Sequence, residues 1–242
     1  MMLAIDVGNT LSKLAVFDRN EIIFIQKEER LSATSIRQLF NQYQDIRSVI
    51  VASVKDPEEP YQPLFPEGIP LIILNHNTPL PIKIDYDTPE TLGMDRLSAV
   101  VAAHHLFPGK NALVIESGTC ITYDLIDAKG FYRGGSISPG IDLRFKALHN
   151  FTGKLPLVKP VKDAVLTAKS TETSIQSGVM NGIIAEINGI ISVYDGIYEN
   201  LTVILSGGNL DYFDKNLKNN IFAVPNIVLK GLNIIHNFND KN

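Results

Sequence analysis

The sequence predicts an α/β protein built from two similar halves. Three observations carry this. Apolar strand-like runs alternate with helical patterns along the chain, and the opening strand–glycine turn–strand pattern returns near the middle. The second half then continues with a long amphipathic helix and a buried strand that breaks into a double glycine. With 242 residues, 45% hydrophobic and 20% charged, each half is large enough to bury its own core.

The chain opens with "MLAIDVGNTLSKLAVFDRNEIIFIQ". This reads as a strand over residues 3–6, a tight glycine-bearing turn, a second strand over 13–17, a polar turn at Asp18, Arg19 and Asn20, and a third strand over 22–26. Ile36, Leu39, Phe40 and Tyr43 fall at helical spacing and predict a helix over 34–43. "SVIVAS" and "PLIIL" are short and almost wholly apolar, which suits strands buried on both faces. The five prolines between residues 56 and 70 mark a surface loop. A helix over 95–106 follows, stopped by Pro108 and Gly109. "NALVIESGTCITYDLIDAKGFYRGG" then repeats the opening: Ile5, Asp6 and Gly8 match Ile115, Glu116 and Gly118 at a constant offset of 110 residues, with turns that differ by about one residue. Ile175, Val179, Ile183, Ile187, Ile190 and Tyr194 form one apolar stripe on a helix over 173–194. Gly182 and Gly189 inside it suggest close approach of another backbone, from this chain or from a partner subunit. "TVILSGGN" is a buried strand ending in Gly207 and Gly208.

Charge and cysteine content narrow the function classes. The net charge of −4 comes without a basic run, so binding along a nucleic acid backbone has no electrostatic support. The single cysteine, Cys120, excludes an internal disulfide and a multi-cysteine metal site, and fits a reducing cytoplasm. The N-terminus lacks a basic n-region and meets Asp6, unlike a signal peptide. No apolar run approaches the ~20 residues of a membrane span. The expectation is a soluble cytoplasmic protein.

The absence of G-x-x-x-x-G-K-[ST] rules out a P-loop. Instead each half carries a glycine hairpin, with Asp6, Val7, Gly8, Asn9 and Thr10 in the first and Glu116, Ser117, Gly118 and Thr119 in the second. Glycine lets a turn approach a phosphate, and neighbouring N–H and hydroxyl groups donate to its oxygens. A carboxylate ending the preceding strand can hold Mg²⁺, directly or through water. Lys13, just beyond the first turn, can neutralise phosphate charge. The plainer reading is a hairpin turn, which Asp, Gly and Asn favour anyway; its recurrence favours the phosphate reading. The double glycine of "LSGGN" fits a base or ribose lying against bare backbone. Adjacent helical residues such as His104 and His105 point about 100° apart, so they read as helix-end residues rather than a chelate, and Cys120 reads as structural. Asp95 in "LGMDRLSAV" begins a helix. Locally it suits an N-cap, yet a helix N-terminus also favours an anionic catalytic group.

Taken together, "DVGNTLSK", "YDTPETLGMDR", "SGT", "GGSISPGI", "STETSIQSG" and "LSGGN" resemble the type III pantothenate kinase family over essentially the whole chain. The most specific elements are G-x-D-R, at Gly93, Asp95 and Arg96, and G-G-x-I-x-P-G. That family belongs to the actin, sugar-kinase and heat-shock-chaperone ATPase superfamily. The resemblance therefore implies two duplicated RNase H-like (actin-like ATPase) domains, residues 1–108 and 109–242, with a nucleotide cleft between them. It implies ATP-dependent phosphorylation of the primary hydroxyl of pantothenate to 4'-phosphopantothenate, the first step toward coenzyme A.

By position, the resemblance gives Asp6, Val7, Gly8, Asn9, Thr10 and Lys13 to the ATP phosphates and the metal, with Asp6 on Mg²⁺ through water. Thr119 contacts ATP. Tyr86, Gly93, Met94, Asp95 and Arg96 line the pantothenate site, and Thr171 contacts the same substrate. Asp95 is the general base, which suits a poor alcohol nucleophile. Arg96 either orients the pantothenate carboxylate or stabilises the transferring group. A homodimer with pantothenate sites near the subunit interface is also implied. Two positions depart from the family pattern. Glu116 stands where an aspartate usually helps bind a monovalent cation (K⁺ or NH₄⁺), and its extra methylene alters, displaces or removes that site. Met94 stands where a smaller residue is common, with the Gly, Asp and Arg retained. Two rival readings remain: a non-catalytic regulatory relative resembling the Bvg accessory factor group, and a superfamily kinase acting on a sugar or acyl substrate. Loss of Asp95 or of the first hairpin would mark the former, and both are present; G-x-D-R with Tyr86 argues against the latter.

Overall fold

A computed structural model describes residues 1–55, 60–213 and 221–240. The opening segment folds into three strands, β1 (Met2–Val7), β2 (Ser12–Asp18) and β3 (Glu21–Glu28). Leu3, Ala4 and Ile5 are wholly buried because β1 lies mid-sheet, antiparallel to β2 and parallel to β4 (Ser48–Ser53). Helix α1 (Ala33–Gln42) is capped by Ser32, whose Oγ accepts the Ser35 N–H at 3.1 Å. It buries Ile36 and Leu39 in one core with Leu3, Ile5, Val49 and Val51. The expectation for "PLIIL" needs correction. Strand β5 (Leu71–Ile73) pairs only with β4 and so forms the sheet edge, where its residues are half-buried or exposed. The preceding proline-rich segment lies partly outside the described residues, at 56–59.

Helix α2 (Met94–Leu106) starts one residue earlier than its pattern suggests, with Gly93 as N-cap. Asp95 therefore lies within the first turn and is not the cap, which corrects the local reading. His104 and His105 fall in its last turn. The helix is buried almost all round from Arg96 to Ala103 because a second helix, α5 (Ile227–Asn239), lies against it. The approach is so close that a Cβ on Gly231 would run into the Ser98 backbone.

The second set of elements comprises β7 (Ala112–Ser117), β8 (Cys120–Ile126), β9 (Phe131–Pro139), α3 (Ile141–Asn150), α4 (Thr171–Ile197), β10 (Thr202–Gly207) and β11 (Ile221–Ala223). Helix α4 is longer than its stripe suggests because Ser170 and Thr173 form a capping box at its start. Ile175, Val179, Ile183, Ile187 and Ile191 bury into one core with Leu113, Ile115 and Leu205, while Ile190 and Tyr194 flank it. Gly182 and Gly189 are exposed, and among the described residues nothing lies within 4 Å of where a Cβ would stand, so no neighbouring element explains them.

The two sheets share one plan. The first runs β3-β2-β1-β4-β5, and the second carries the matching order β9-β8-β7-β10-β11 with one further strand beyond β9. Each first strand has an antiparallel hairpin partner on one side and a parallel strand on the other. This is the duplicated RNase H-like architecture. The chain forms two compact units, one comprising Met1–Pro108, Gly130–Tyr132 and the segment from Asn226, the other the residues between. The short β6 (Lys83–Ile84) pairs in parallel with Phe131 and Tyr132, inside the first unit. Among the described residues, no helix is long and apolar enough to cross a membrane.

Candidate active site

In the first unit, β1 carries Asp6 to the C-terminal end of the central strand, opposite Lys13 in the hairpin register. Asp6 is 6% exposed. Burial raises its pKa to about 6; Lys13 opposes the rise, and the charge of Asp95 adds to it. Asp6, Lys13 and Asp95 thus share one electrostatic field. The Gly8 N–H donates to the Leu11 carbonyl at 3.2 Å and closes the turn, and a Cβ at Gly8 would sit 2.9 Å from that oxygen. Glycine serves here for space. Val7 is half-buried, Asn9 and Thr10 are exposed, and Lys13 is half-buried.

The first turn of α2 is arranged around its carboxylate. Asp95 Oδ1 accepts the Arg96 N–H at 2.8 Å, and a Cβ at Gly93 would lie 2.5 Å from the same oxygen. Gly93 is therefore what leaves room for this carboxylate orientation. Met94 and Arg96 are buried. Tyr86 packs its ring on Tyr132, with centroids 5.9 Å apart at 37°, and the adjacent Asp85 N–H donates to the Tyr132 carbonyl at 3.0 Å. Tyr132 itself is fully buried.

In the second unit, Glu116 takes the place of Asp6, paired with Thr122 and flanked by Ser206. It is half-buried where Asp6 is buried. Here Ser117 pairs with Ile121 where Val7 pairs with Ser12, so the turn is one residue shorter than the first, as the sequence offset suggests, and the Gly118 N–H donates to the Cys120 carbonyl at 2.9 Å. Two glycines press on it from outside. The Gly140 N–H donates to the Thr119 carbonyl at 3.0 Å, and a Cβ there would strike the Gly118 and Thr119 oxygens. Gly207, at φ 104°, lies against the Ser117 backbone. The Asn209 N–H donates to the Ser117 carbonyl at 3.3 Å, and its Nδ2 donates to Ser117 Oγ and the Gly118 carbonyl at 3.4 Å. The bare backbone at Gly207 thus receives Ser117, and the open position is Gly208. Thr171 opens α4 and, with Arg144, Lys169 and Ser174, lines an open groove of about 1090 Å³. Among the described residues, no three His, Cys, Asp or Glu side chains gather as a metal cluster.

Residues 2–193 match the family model of type III pantothenate kinase. The chain belongs to that family. A type III pantothenate kinase of Bacteroides fragilis is 48% identical over 241 residues, spanning 99% of each chain. Among solved structures, a Campylobacter jejuni protein described as a Baf family transcriptional activator aligns with a TM-score of 0.62 at 17% identity, covering 99% of this chain and 100% of that one. A Sinorhizobium meliloti protein described as a 2-dehydro-3-deoxygalactonokinase gives 0.59 at 12%, covering 98% and 99%. At such identities these two likenesses speak for the fold alone. Membership of the pantothenate kinase family makes the chain an enzyme, a kinase.

Within this family member, Asp6, Val7, Gly8, Asn9, Thr10, Lys13, Tyr86, Gly93, Met94, Asp95 and Arg96 all belong to the first unit, and Glu116, Thr119 and Thr171 to the second. Sequence reasoning missed the clamping parts played by Gly140, Gly207 and Asn209, although their motifs were visible. Tyr132, behind Tyr86, left no signal beyond an aromatic at the start of a strand.

Proposed function

We propose that the protein transfers the γ-phosphoryl group of ATP to the primary hydroxyl of pantothenate, giving 4'-phosphopantothenate and ADP, with Asp95 as general base. The observation that carries this is the meeting of Asp95, Asp6 and Lys13 in one field, with a glycine turn between the two strands that supply Asp6 and Lys13. The hydroxyl oxygen attacks the γ-phosphorus, its proton passes to Asp95, and the bond to the β–γ bridging oxygen breaks as ADP leaves. Lys13 and the N–H and hydroxyl groups of Gly8, Asn9 and Thr10 hold the phosphates. Thr119 contacts ATP. Tyr86, Gly93, Met94, Arg96 and Thr171 bind the acceptor, and the buried Arg96 supplies fixed positive charge to its carboxylate or to the transferring group.

The donor set suits Mg²⁺ held through water at Asp6. Its carboxylate is buried, with Lys13 only partly offsetting the cost of that burial, and this ion usually takes one or two carboxylates with phosphates and waters. Bound there, it would neutralise charge developing on the phosphate oxygens. Glu116 offers a half-buried oxygen donor for a monovalent cation, K⁺ or NH₄⁺. We further propose a homodimer working in the cytoplasm, which light scattering and fractionation would check.

The deciding experiment measures ADP release with pantothenate for the wild type and for Asp95→Asn. The variant should lose about 10²–10⁴-fold in kcat while ATP binding persists. Full activity in Asp95→Asn would refute the base assignment.

A further inference from the structure

The turn that bears Thr119 depends on more than its own two strands. Gly140, whose N–H donates to the Thr119 carbonyl at 3.0 Å, follows directly on the last residue of β9. One side chain holds that strand end. Arg144, on the first turn of α3, donates Nε to the Pro139 carbonyl and Nη2 to Ser138 Oγ, both at 2.8 Å. The same Nη2 meets Glu186 Oε2 of α4 at 2.5 Å, and Glu186 Oε1 accepts the Tyr123 hydroxyl at 2.9 Å. A guanidinium donates along fixed directions in one plane, so these bonds set the strand end relative to α4. The charge states fit. Partial burial pushes Glu186 up, but hydrogen bonds from Arg144, Ser138 and Tyr123 and the charge of Arg144 outweigh it and hold the group below the usual carboxylate range. Burial and the bond to Glu186 push the Tyr123 hydroxyl up, so it remains a donor.

We propose that Arg144, anchored by Glu186 and Tyr123, is a positioning residue for ATP, acting through Ser138, Pro139 and Gly140 on the Gly118 and Thr119 turn. The proposal rests on the reading that Thr119 contacts ATP. A purely structural ion pair would lower stability when lost and treat both substrates alike. A positioning residue moves the KM for ATP well beyond any change in the KM for pantothenate.

The test compares Arg144→Met, Arg144→Lys, Glu186→Gln and Thr119→Val in the full-length enzyme, with both KM values, kcat and thermal unfolding. Losing a charged hydrogen-bonding fork should raise the KM for ATP about tenfold in Arg144→Met, well beyond any change in the KM for pantothenate from the groove that Arg144 shares with Thr171. Arg144→Lys keeps the charge without the fork and should rescue only in part. Glu186→Gln keeps the shape, and it reports on the same network should Arg144→Met fail to fold. A KM for ATP that stays at the wild-type value in folded Arg144→Met or Glu186→Gln, while Thr119→Val raises it, overturns the inference. An unchanged KM for ATP in Thr119→Val instead overturns the assignment of Thr119, and the inference with it.

Discussion

Replacing Gly93 with alanine separates the geometry of Asp95 from the stability of its helix. The Gly93 backbone, at φ −60° and ψ 129°, is open to any residue, so alanine adds no backbone strain. Its Cβ, however, would lie 2.5 Å from Asp95 Oδ1. Ordinary contact needs about 3.5 Å, so the carboxylate must swing by roughly 1 Å. A side-chain rotation achieves this cheaply. Alanine is a poorer N-cap than glycine, at a cost of about 1 kcal/mol or less, which lowers Tm by roughly 2–4 °C. A misplacement of about 1 Å at the reacting group costs on the order of 10²-fold in kcat. The assay is coupled ADP release for Gly93→Ala, Asp95→Asn and the double variant. In the double variant the glycine change should cost nothing further, because the group it displaces is already disabled. Wild-type kcat in Gly93→Ala would refute the reasoning. So would a further 100-fold loss in the Asp95→Asn background, which would place the effect on the substrate itself.

Gly140→Ala should lower Tm and raise the KM for ATP together, since its Cβ strikes the Gly118 and Thr119 oxygens; overpacking of this kind costs about 1–3 kcal/mol, read by calorimetry. Gly231→Ala should destabilise by a similar mechanism against Ser98, whereas Gly196→Ala, with open space around it on α4, should stabilise by up to about 1 kcal/mol, and denaturant titration would show the opposite signs. The Glu186 carboxylate titrates lower in the folded chain than its ordinary value of 4.5, so its stabilising contribution is present above pH 4.5 and lost as pH falls through the folded value. Unfolding of Glu186→Gln followed against pH should accordingly show a flatter acid limb than the wild type. Ile183→Ala, in the middle of the buried α4 stripe, should cost about 2–5 kcal/mol in the same titration.

Much of the fold was legible because buried strands and a repeated hairpin write themselves into local sequence. The 110-residue offset between Ile5 and Ile115 reflects two strands with the same neighbours in two sheets. Burial of β5 was not legible, since an apolar run looks alike whether one strand or two lie beside it. Helix α5 escaped notice because Asn233, Asn237 and Asn239 and the interior Gly231 are weak helix formers. At the site, the kinds of residue were readable but the reason for each glycine was not. Gly182 and Gly189 invited a neighbour and face open space, while Gly140, Gly207 and Gly231 meet other backbone. Whether a missing side chain makes room for something depends on what stands opposite, and that lies elsewhere in the chain.

Helix α5 carries a consequence for the order in which the molecule is made. It follows every element of the second unit in the chain yet belongs to the first unit, where Gly231 lies against Ser98 of the helix that bears Asp95. A ribosome that has reached residue 225 has supplied every element of the second unit and left the first without the surface that α2 packs on. Although N-terminal domains generally fold first during synthesis, here the first unit waits for residues that follow the whole of the second. A chain stopped before residue 226 therefore lacks the helix against which the Asp95-bearing helix packs.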